Sequence, residues 1–184
     1  MRIISGKFKG RKLKGPSDLS IRPTLDRVKE SIFNVLGSRI YNSSVLDLFA
    51  GSGSLGIEAL SRGAETVYFI DNSFDSVKLL KENLALLKDI KEEAVIRKQD
   101  VAEFLSNFNE DIFEVIFLDP PFKIGKEYMI RVFNLLYNGG IIDKNSVIIY
   151  EFFFKRDIEE EICLFNIDKV SSFGEKKVIY LSLK

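Results

Sequence analysis

Strand and helix patterns alternate from residue 45 onward, and this alternation restricts the fold more than any other feature of the chain. Residues 171–175 are too few for a helical crossover, so the last strand is predicted to be antiparallel to the strand before it. Strands that alternate with helices indicate a mostly parallel sheet with helices on both faces. We therefore predict a doubly wound, Rossmann-like α/β fold with a mostly parallel, seven-stranded sheet. The predicted strands are 45–49, 66–70, 93–97, 113–118, 146–153, 165–170 and 177–183, and the predicted helices are 54–62, 73–88, 101–107, 127–137 and 155–162.

A basic segment precedes this alternation. Residues 1–15 alternate between apolar and polar side chains and predict a short β-hairpin. Residues 16–23 contain two prolines and are predicted to form a loop, followed by a helix that begins with Thr24 as its N-cap and ends near Leu36.

Charge is unevenly distributed along a chain whose net charge is zero. Residues 1–29 contain nine Lys or Arg and two acids, which leaves 18 bases and 25 acids in the remainder. This basic end is typical of an arm that contacts phosphate, although an ordinary solvated terminus would look the same. We predict one domain over residues 1–184, in which 1–40 form a basic hairpin-and-helix extension and 41–184 form the core.

Missing residue types exclude several chemistries. The chain has no histidine, which excludes Ser-His-Asp and Cys-His catalysis, and one cysteine without histidine does not fit a zinc site, so we expect no metal. Cys163 has apolar neighbours and is predicted to be a small core residue, and the lack of a disulfide partner fits a cytoplasmic protein. We expect no signal peptide and no membrane span, because no apolar stretch approaches the required ~18 residues.

A glycine-rich loop follows the first strand of the alternation. Gly51, Gly53 and Gly56 satisfy the G-x-G-x-x-G pattern between a strand and a helix. Nicotinamide oxidoreductases and methyltransferases both use such loops, so the loop alone does not separate the two classes.

Acidic residues at successive strand ends favour S-adenosylmethionine as the cofactor. Asp47 would repel a pyrophosphate beside the loop, but it would attract the ammonium and sulfonium groups of S-adenosylmethionine. Asp71 is placed to accept hydrogen bonds from ribose hydroxyls, and Asp100 from the adenine amino group, although each alone could be a helix cap. The predicted cofactor-binding residues are Asp47, Phe49, Ala50, Gly51, Ser52, Gly53, Asp71, Asp100 and Val101.

The tetrapeptide Asp119-Pro120-Pro121-Phe122 follows the strand at 113–118. Consecutive prolines end a sheet ladder, so the chain must leave the strand there. The Asp119 carboxylate and the Pro120 carbonyl can accept hydrogen bonds from a planar amino group, and the Phe122 ring can stack on the base that carries it. The motif predicts methylation of an exocyclic nitrogen, with Asp119, Pro120 and Phe122 as the catalytic residues. Phe122 could instead be an ordinary buried ring among sixteen phenylalanines.

A second aromatic stretch lies at 152–154, where three phenylalanines follow one another. A strand buried on both faces explains that run most simply.

Five segments together resemble a known family. They are residues 1–13, the segment Arg22-Pro23-Thr24-x-Asp26-Arg27-Val28, the segment Ile32-Phe33-Asn34-Val35-Leu36, the loop region 47–64 and the tetrapeptide 119–122. The chain resembles the RsmD family, guanine-N2 methyltransferases of small-subunit ribosomal RNA with the class I S-adenosylmethionine-dependent fold.

The resemblance implies an RNA substrate for the basic end of the chain. It implies methylation of a guanine in 16S rRNA, with the 30S subunit as partner, and we expect a monomer. Arg22 could contact phosphate or order the loop over the cofactor, and Arg27 could contact phosphate or pair with Glu30. The predicted RNA-binding residues are Arg2, Lys7, Lys9, Arg11, Lys12, Arg22 and Arg27.

Other functions stay open at this point. A DNA adenine-N6 or protein glutamine methyltransferase could use the same tetrapeptide, although a DNA enzyme normally carries a target-recognition region. A nicotinamide oxidoreductase would leave Asp47 and residues 119–122 unexplained. A non-catalytic RNA-binding factor would not need an intact cofactor loop.

Overall fold

The computed structural model describes residues 1–15, 22–87 and 93–184, and the side chains of 22–25 lie outside that description. The described helices are α1 (Arg22–Leu36), α2 (Ser54–Ser61), α3 (Phe74–Ala85), α4 (Val101–Asn107) and α5 (Lys126–Asn138), with a 3-10 turn at Gly37–Ile40. The described strands are β1 (Ser44–Leu48), β2 (Thr66–Asp71), β3 (Glu93–Lys98), β4 (Val115–Leu118), β5 (Val147–Phe153), β6 (Phe165–Phe173) and β7 (Lys176–Leu183).

All seven strands form one sheet in the order β3-β2-β1-β4-β5-β7-β6. The pairs from β3 to β5 are parallel, whereas β7 runs antiparallel to both β5 and β6. The predicted fold class is therefore confirmed, including the single antiparallel strand. The chain moves outward from β1 in one direction and returns through β4 in the other, so a crevice opens at the carboxyl ends of β1 and β4.

Helices bury both faces of this sheet. One face packs against α1, α2, α3 and the N-terminal segment, with Phe33, Phe69 and Phe117 in its core. The other face packs against α4 and α5, with Phe113 and Phe133 fully buried. Such two-sided burial explains why the central strands are continuous apolar runs.

The N-terminal segment folds back on itself as an antiparallel hairpin. The Ile3 amide donates to the Arg11 carbonyl at 2.9 Å, and the Leu13 amide donates to the Met1 carbonyl at 3.0 Å. The predicted hairpin is confirmed in its pairing, but a single bridge between Arg2 and Lys12 replaces two regular strands.

Helix α2 explains why a longer ladder does not form. The amides of Ile4 and Ser5 donate to the Glu58 carboxylate at 2.8 and 2.9 Å, and the Phe8 amide donates to the Ser61 hydroxyl at 3.0 Å. Gly6 has φ +83°, and a Cβ there would lie 1.7 Å from the Ser61 carbonyl oxygen. Only glycine allows this close approach, which holds the basic hairpin against the core.

One predicted element is wrong. Residues 155–162 form turns rather than a helix. The Phe154 amide donates across to the Glu175 carbonyl at 2.8 Å, and the Asp157 carboxylate accepts the Glu159 amide at 3.2 Å. A side chain that binds its neighbour's amide competes with helical hydrogen bonding, and the run of acids at 157–161 disfavours a helix further.

Element boundaries differ from the predictions by a few residues. Helix α1 begins at Arg22 instead of Thr24, and α3 ends at Ala85 instead of residue 88, which lies outside the described residues together with 16–21 of the predicted loop. Strand β4 begins at Val115 rather than 113.

Candidate active site

A cavity of about 720 Å³ opens at the carboxyl ends of β1, β2 and β4. Its wall brings together most of the predicted cofactor and catalytic residues. Those that line it are Asp47, Phe49, Ala50, Gly51, Ser52, Asp71, Val101, Asp119, Pro120 and Phe122. Gly53 and Asp100 are not among the lining residues.

The glycine loop is tied to the end of β2. The Gly51 amide donates to one oxygen of the Asp71 carboxylate at 2.8 Å, and the Ser73 amide donates to the other at 2.8 Å. Each oxygen retains a second lone pair that can accept a ligand hydroxyl. Asp71 therefore fixes the loop and still presents acceptors to the cavity.

Three loop residues, Phe49, Gly51 and Gly53, have left-handed backbone conformations. Phe49 has φ +61°, which is uncommon for a residue other than glycine and marks a constrained position at the cavity wall. Gly53 has φ +78°, and a Cβ there would lie 2.2 Å from the Leu80 side chain of α3. Gly53 thus serves the close packing of the loop on α3.

Asp47 is a buried carboxylate beside the loop. It is 3% exposed, and its Oδ2 accepts the Gly56 amide at 2.9 Å. Burial raises the pKa of Asp47 well above its ordinary value; the Gly56 amide opposes this shift, and Asp119 and Asp71 add to it. A cationic ligand would stabilise this carboxylate, so the residues present fit the ammonium and sulfonium groups of S-adenosylmethionine.

Asp100 caps helix α4 and orients a tyrosine that the sequence analysis missed. Its Oδ1 accepts the Glu103 amide at 3.1 Å, and its Oδ2 accepts the Tyr128 hydroxyl at 2.7 Å. Tyr128 lines the cavity and meets the Phe49 ring edge-on at 6.4 Å between centroids. Burial, followed by the hydrogen bond to Asp100, raises the pKa of Tyr128 to about 12, so the hydroxyl stays protonated.

The tetrapeptide 119–122, predicted to be catalytic, leaves β4 at the mouth of the cavity. Phe122 is 61% exposed, which excludes the interpretation of an ordinary buried ring. Its ring lies edge-on to Phe153 at 6.2 Å between centroids, and the Lys176 ammonium lies 5.4 Å from its centroid. A flat apolar surface is therefore available beside Asp119.

Lys176 was also missed from the sequence. It lines the cavity from the start of β7, and its ammonium is hydrogen-bonded to the buried Glu151 carboxylate. Burial disfavours the charge on Lys176, but Asp119 and Glu151 outweigh that effect and raise its pKa. Burial also raises the pKa of Asp119, to about 7; Glu151 adds to the shift and Lys176 opposes it. The Asp119 carboxyl therefore titrates near neutrality.

The predicted RNA-binding residues have different settings. Arg2, Lys7, Lys9, Arg11, Lys12 and Arg27 are exposed, and the Arg22 side chain lies outside the described residues. Arg2 pairs with Asp26 at 3.4 Å, and the Arg11 guanidinium donates to the Leu86 carbonyl at 2.6 Å. The alternative pairing of Arg27 with Glu30 is not found among the described ion pairs; both residues line a surface groove with Lys169.

Cys163 is exposed, so its predicted place in the core is wrong. It follows directly on the turns that replace the predicted helix at 155–162 and does not lie in the cavity wall. Over the described ranges, no cluster of His, Cys, Asp and Glu side chains is suited to a metal ion. None of the helices in the described part of the chain has the length and apolar character needed to cross a membrane.

The seven-stranded sheet, the glycine loop after β1 and the acidic tetrapeptide after β4 together define a class I S-adenosylmethionine-dependent methyltransferase fold. The sequence model of the family described as Conserved hypothetical protein 95 matches residues 1–182. The chain belongs to this family, the RsmD family.

Known proteins similar to this chain agree with that placement. Ribosomal RNA small subunit methyltransferase D of Haemophilus influenzae is 42% identical over 152 residues, which cover 82% of this chain and 78% of that protein. The solved structure of yhhF from Escherichia coli has a TM-score of 0.86 and 32% identity and covers 100% of this chain and 98% of its own. Magnesium protoporphyrin IX methyltransferase from Synechocystis, solved with bound S-adenosylmethionine, shares the fold at 19% identity, with a TM-score of 0.75 and coverage of 92% and 87%.

Proposed function

We propose that this protein transfers a methyl group from S-adenosylmethionine to the exocyclic N2 of a guanine in 16S rRNA during maturation of the small subunit. One observation carries the proposal. Asp119 and the exposed Phe122 line the same cavity as the glycine loop and Asp71. The name of the Haemophilus influenzae relative supports the choice of small-subunit rRNA as the substrate.

The cavity wall divides into a cofactor side and a base side. Asp47 would face the cationic groups of the cofactor, Asp71 the ribose, and Tyr128 with Val101 the adenine. S-adenosylmethionine, when bound, supplies an electrophilic methyl group on sulfur.

Asp119, Pro120 and Phe122 would present the acceptor nitrogen. Phe122 stacks on the guanine after the base has left its own stack, which costs a few kcal/mol. Asp119 and the Pro120 carbonyl accept the amino hydrogens and aim the nitrogen lone pair. As the nitrogen–carbon bond forms and the carbon–sulfur bond breaks, positive charge develops on nitrogen, and the Asp119 carboxylate stabilises it. The nitrogen then loses one proton, which Asp119 can accept because its pKa is about 7.

Methyl transfer from tritiated S-adenosylmethionine to small subunits from cells that lack this protein tests the proposal. We expect label in the rRNA with the wild-type protein and at least about a hundredfold lower turnover with Asp119→Ala, while cofactor affinity stays within about twofold. Asp168→Ala, which removes an exposed carboxylate on β6, is the matched control. Equal loss of turnover and cofactor affinity would mean that Asp119 is structural.

The same protein samples separate the other candidate functions. Thermal protection by NADH instead of S-adenosylmethionine would support the oxidoreductase. Label on DNA or protein, with none on subunits or free 16S rRNA, would support a different amino methyltransferase. Cofactor binding without transfer to any acceptor would support a non-catalytic RNA-binding factor.

A further inference from the structure

We propose that Phe122, Phe153 and Phe154, here called the aromatic row, act with Lys155 to bind an RNA nucleotide adjacent to the target guanine. This inference rests on the proposed function, because it assigns a second RNA subsite beside the same cavity.

The aromatic row is continuous and partly open to solvent. The Phe122 and Phe153 ring centroids lie 6.2 Å apart, and those of Phe153 and Phe154 lie 5.0 Å apart. Phe122 is 61% exposed and Phe154 is 40% exposed, whereas Phe152 is 7% exposed. The prediction that residues 152–154 form a strand buried on both faces is thus right for Phe152 and wrong for Phe154, which lies beyond the end of β5.

Backbone contacts hold this row beside the catalytic cavity. Phe122 follows β4, Phe153 ends β5, and the Phe154 amide donates to the carbonyl of Glu175 in the turn before β7 at 2.8 Å. A pocket of about 240 Å³ adjoins the row, and its wall includes Phe122, Phe153 and Lys155. It shares the residues 120–122 with the catalytic cavity, so the two cavities adjoin at the tetrapeptide.

Charge at the row favours a phosphate-bearing ligand. The Lys155 ammonium lies 5.5 Å from the Phe154 centroid, and no carboxylate pairs with it in the described part of the chain. Two neighbouring acids are already paired, Glu161 with Arg156 at 2.8 Å and Glu151 with Lys176, whereas the exposed Glu175 in the turn before β7 has no ion pair among the described residues. An incoming phosphate therefore meets an available ammonium at Lys155, while the charges of Glu151 and Glu161 are already compensated.

Exposed rings interleaved with lysine are the arrangement that binds single-stranded nucleic acid, because bases stack on the rings and phosphates contact the cations. A target guanine that enters the catalytic cavity has left its stack, so its chain neighbour also lacks a stacking partner on that side. The aromatic row offers a replacement surface at the mouth of the cavity.

Variants of Phe154 and Lys155 test the subsite. We expect Phe154→Leu with Lys155→Ala to weaken the binding of free 16S rRNA by about tenfold and to raise the KM for subunits similarly. The kcat, the affinity for S-adenosylmethionine and the thermal midpoint should stay near the wild-type values. The single variant Phe154→Trp, which keeps an aromatic ring and Lys155, should bind free 16S rRNA about as well as the wild type. If Phe154 had only a structural role, an aromatic ring at this position would not be required for RNA binding.

The matched control is Tyr41→Ala with Lys144→Ala. This pair also removes an exposed aromatic ring and an exposed lysine. Tyr41 precedes β1 and Lys144 precedes β5, so both lie near the amino ends of the strands, opposite the cavity. Unchanged RNA binding by the Phe154 and Lys155 variants would overturn the inference. A higher KM on subunits with unchanged binding of free rRNA would indicate a ribosomal protein as the contact and would also overturn it. If the wild type methylates no RNA, the proposed function fails, and filter binding of free 16S rRNA still tests the subsite independently.

Discussion

The charges of Lys176 and Glu151 both influence the pKa of Asp119, and we expect them to set the pH range of the proposed reaction. Lys176 is hydrogen-bonded to Glu151, and Asp119 is close enough for both charges to affect its pKa, which is about 7. The proposed chemistry needs the Asp119 carboxylate and not the acid. Activity is therefore expected to depend on charges that are not themselves in contact with the base.

We predict that kcat rises with pH through about 7 as Asp119 ionises. Lys176→Met should move the midpoint to higher pH, because removal of the cation disfavours the carboxylate. Glu151→Gln should move it to lower pH, because removal of the anion favours the carboxylate. Single-turnover rates against pH measure both shifts, and circular dichroism checks that both variants are folded. A profile that is flat across this range would exclude Asp119 ionisation as the controlling event.

Tyr128 provides a second prediction about a single side chain. Tyr128→Phe removes the hydroxyl that donates a hydrogen bond to the Asp100 carboxylate at 2.7 Å. Because this bond orients the ring in the cavity wall, we expect S-adenosylmethionine to bind about tenfold more weakly. Tyr137→Phe on the same helix is the control, since that ring is 40% exposed and lies outside the cavity wall. Calorimetric titration measures both affinities, and equal affinities would remove Tyr128 from the cofactor site.

Helix α2 connects the N-terminal hairpin to the body of the protein through one buried acid. Glu58 is 0% exposed and accepts the Ile4 and Ser5 amides, while its carboxylate also pairs with Lys29 at 3.3 Å and Arg62 at 2.8 Å. Burial lowers the pKa of Lys29, and Glu58 opposes that shift. The buried ammonium of Lys29 is therefore stabilised by the Glu58 carboxylate.

Glu58→Gln is predicted to lower the free energy of unfolding by about 3–5 kcal/mol, because it leaves the Lys29 charge buried and uncompensated. The exposed Glu65→Gln, just before β2, should change it by less than about 0.5 kcal/mol. Urea denaturation measures both values. A small effect at Glu58 would show that the other contacts of the hairpin, including its buried residues Ile3, Phe8 and Leu13, are sufficient to hold it.

Elements with local signals were predictable, and those that depend on distant contacts were not. The strand–helix alternation, the glycine loop and the two prolines after β4 each act through neighbouring residues, so the sheet and the cavity edge follow from the sequence. The turns at 155–162 have local causes, the Asp157 carboxylate and the run of acids, but they also depend on the Phe154 amide meeting the Glu175 carbonyl, a contact between residues distant in the chain. Lys176 and Tyr128 enter the cavity through strand order and helix packing, for which a single sequence carries no signal.

Over the protein as a whole, the exposed cations of the N-terminal hairpin contrast with an acidic body. If this hairpin contacts phosphate as the sequence predicts, binding must release counterions and weaken with salt.

We predict that Lys9→Ala with Lys12→Ala weakens 16S rRNA binding and makes the affinity less sensitive to salt. The slope of log affinity against log salt should fall by about 0.7–0.9 for each phosphate that the variant no longer neutralises. Lys144→Ala, at the opposite end of β5 from the cavity, should leave that slope unchanged. Filter binding over a salt series measures the slope. An unchanged slope for the double variant would move the RNA-binding surface away from the hairpin.

The most direct test of the proposed function is nucleoside analysis of small subunits methylated by this protein with labelled S-adenosylmethionine. Subunits from cells that lack the protein serve as the acceptor, and nuclease mapping locates the label along the 16S rRNA. We predict N2-methylguanosine at a single position. Label in another nucleoside, or no label on subunits and free rRNA despite confirmed cofactor binding, would contradict the proposal.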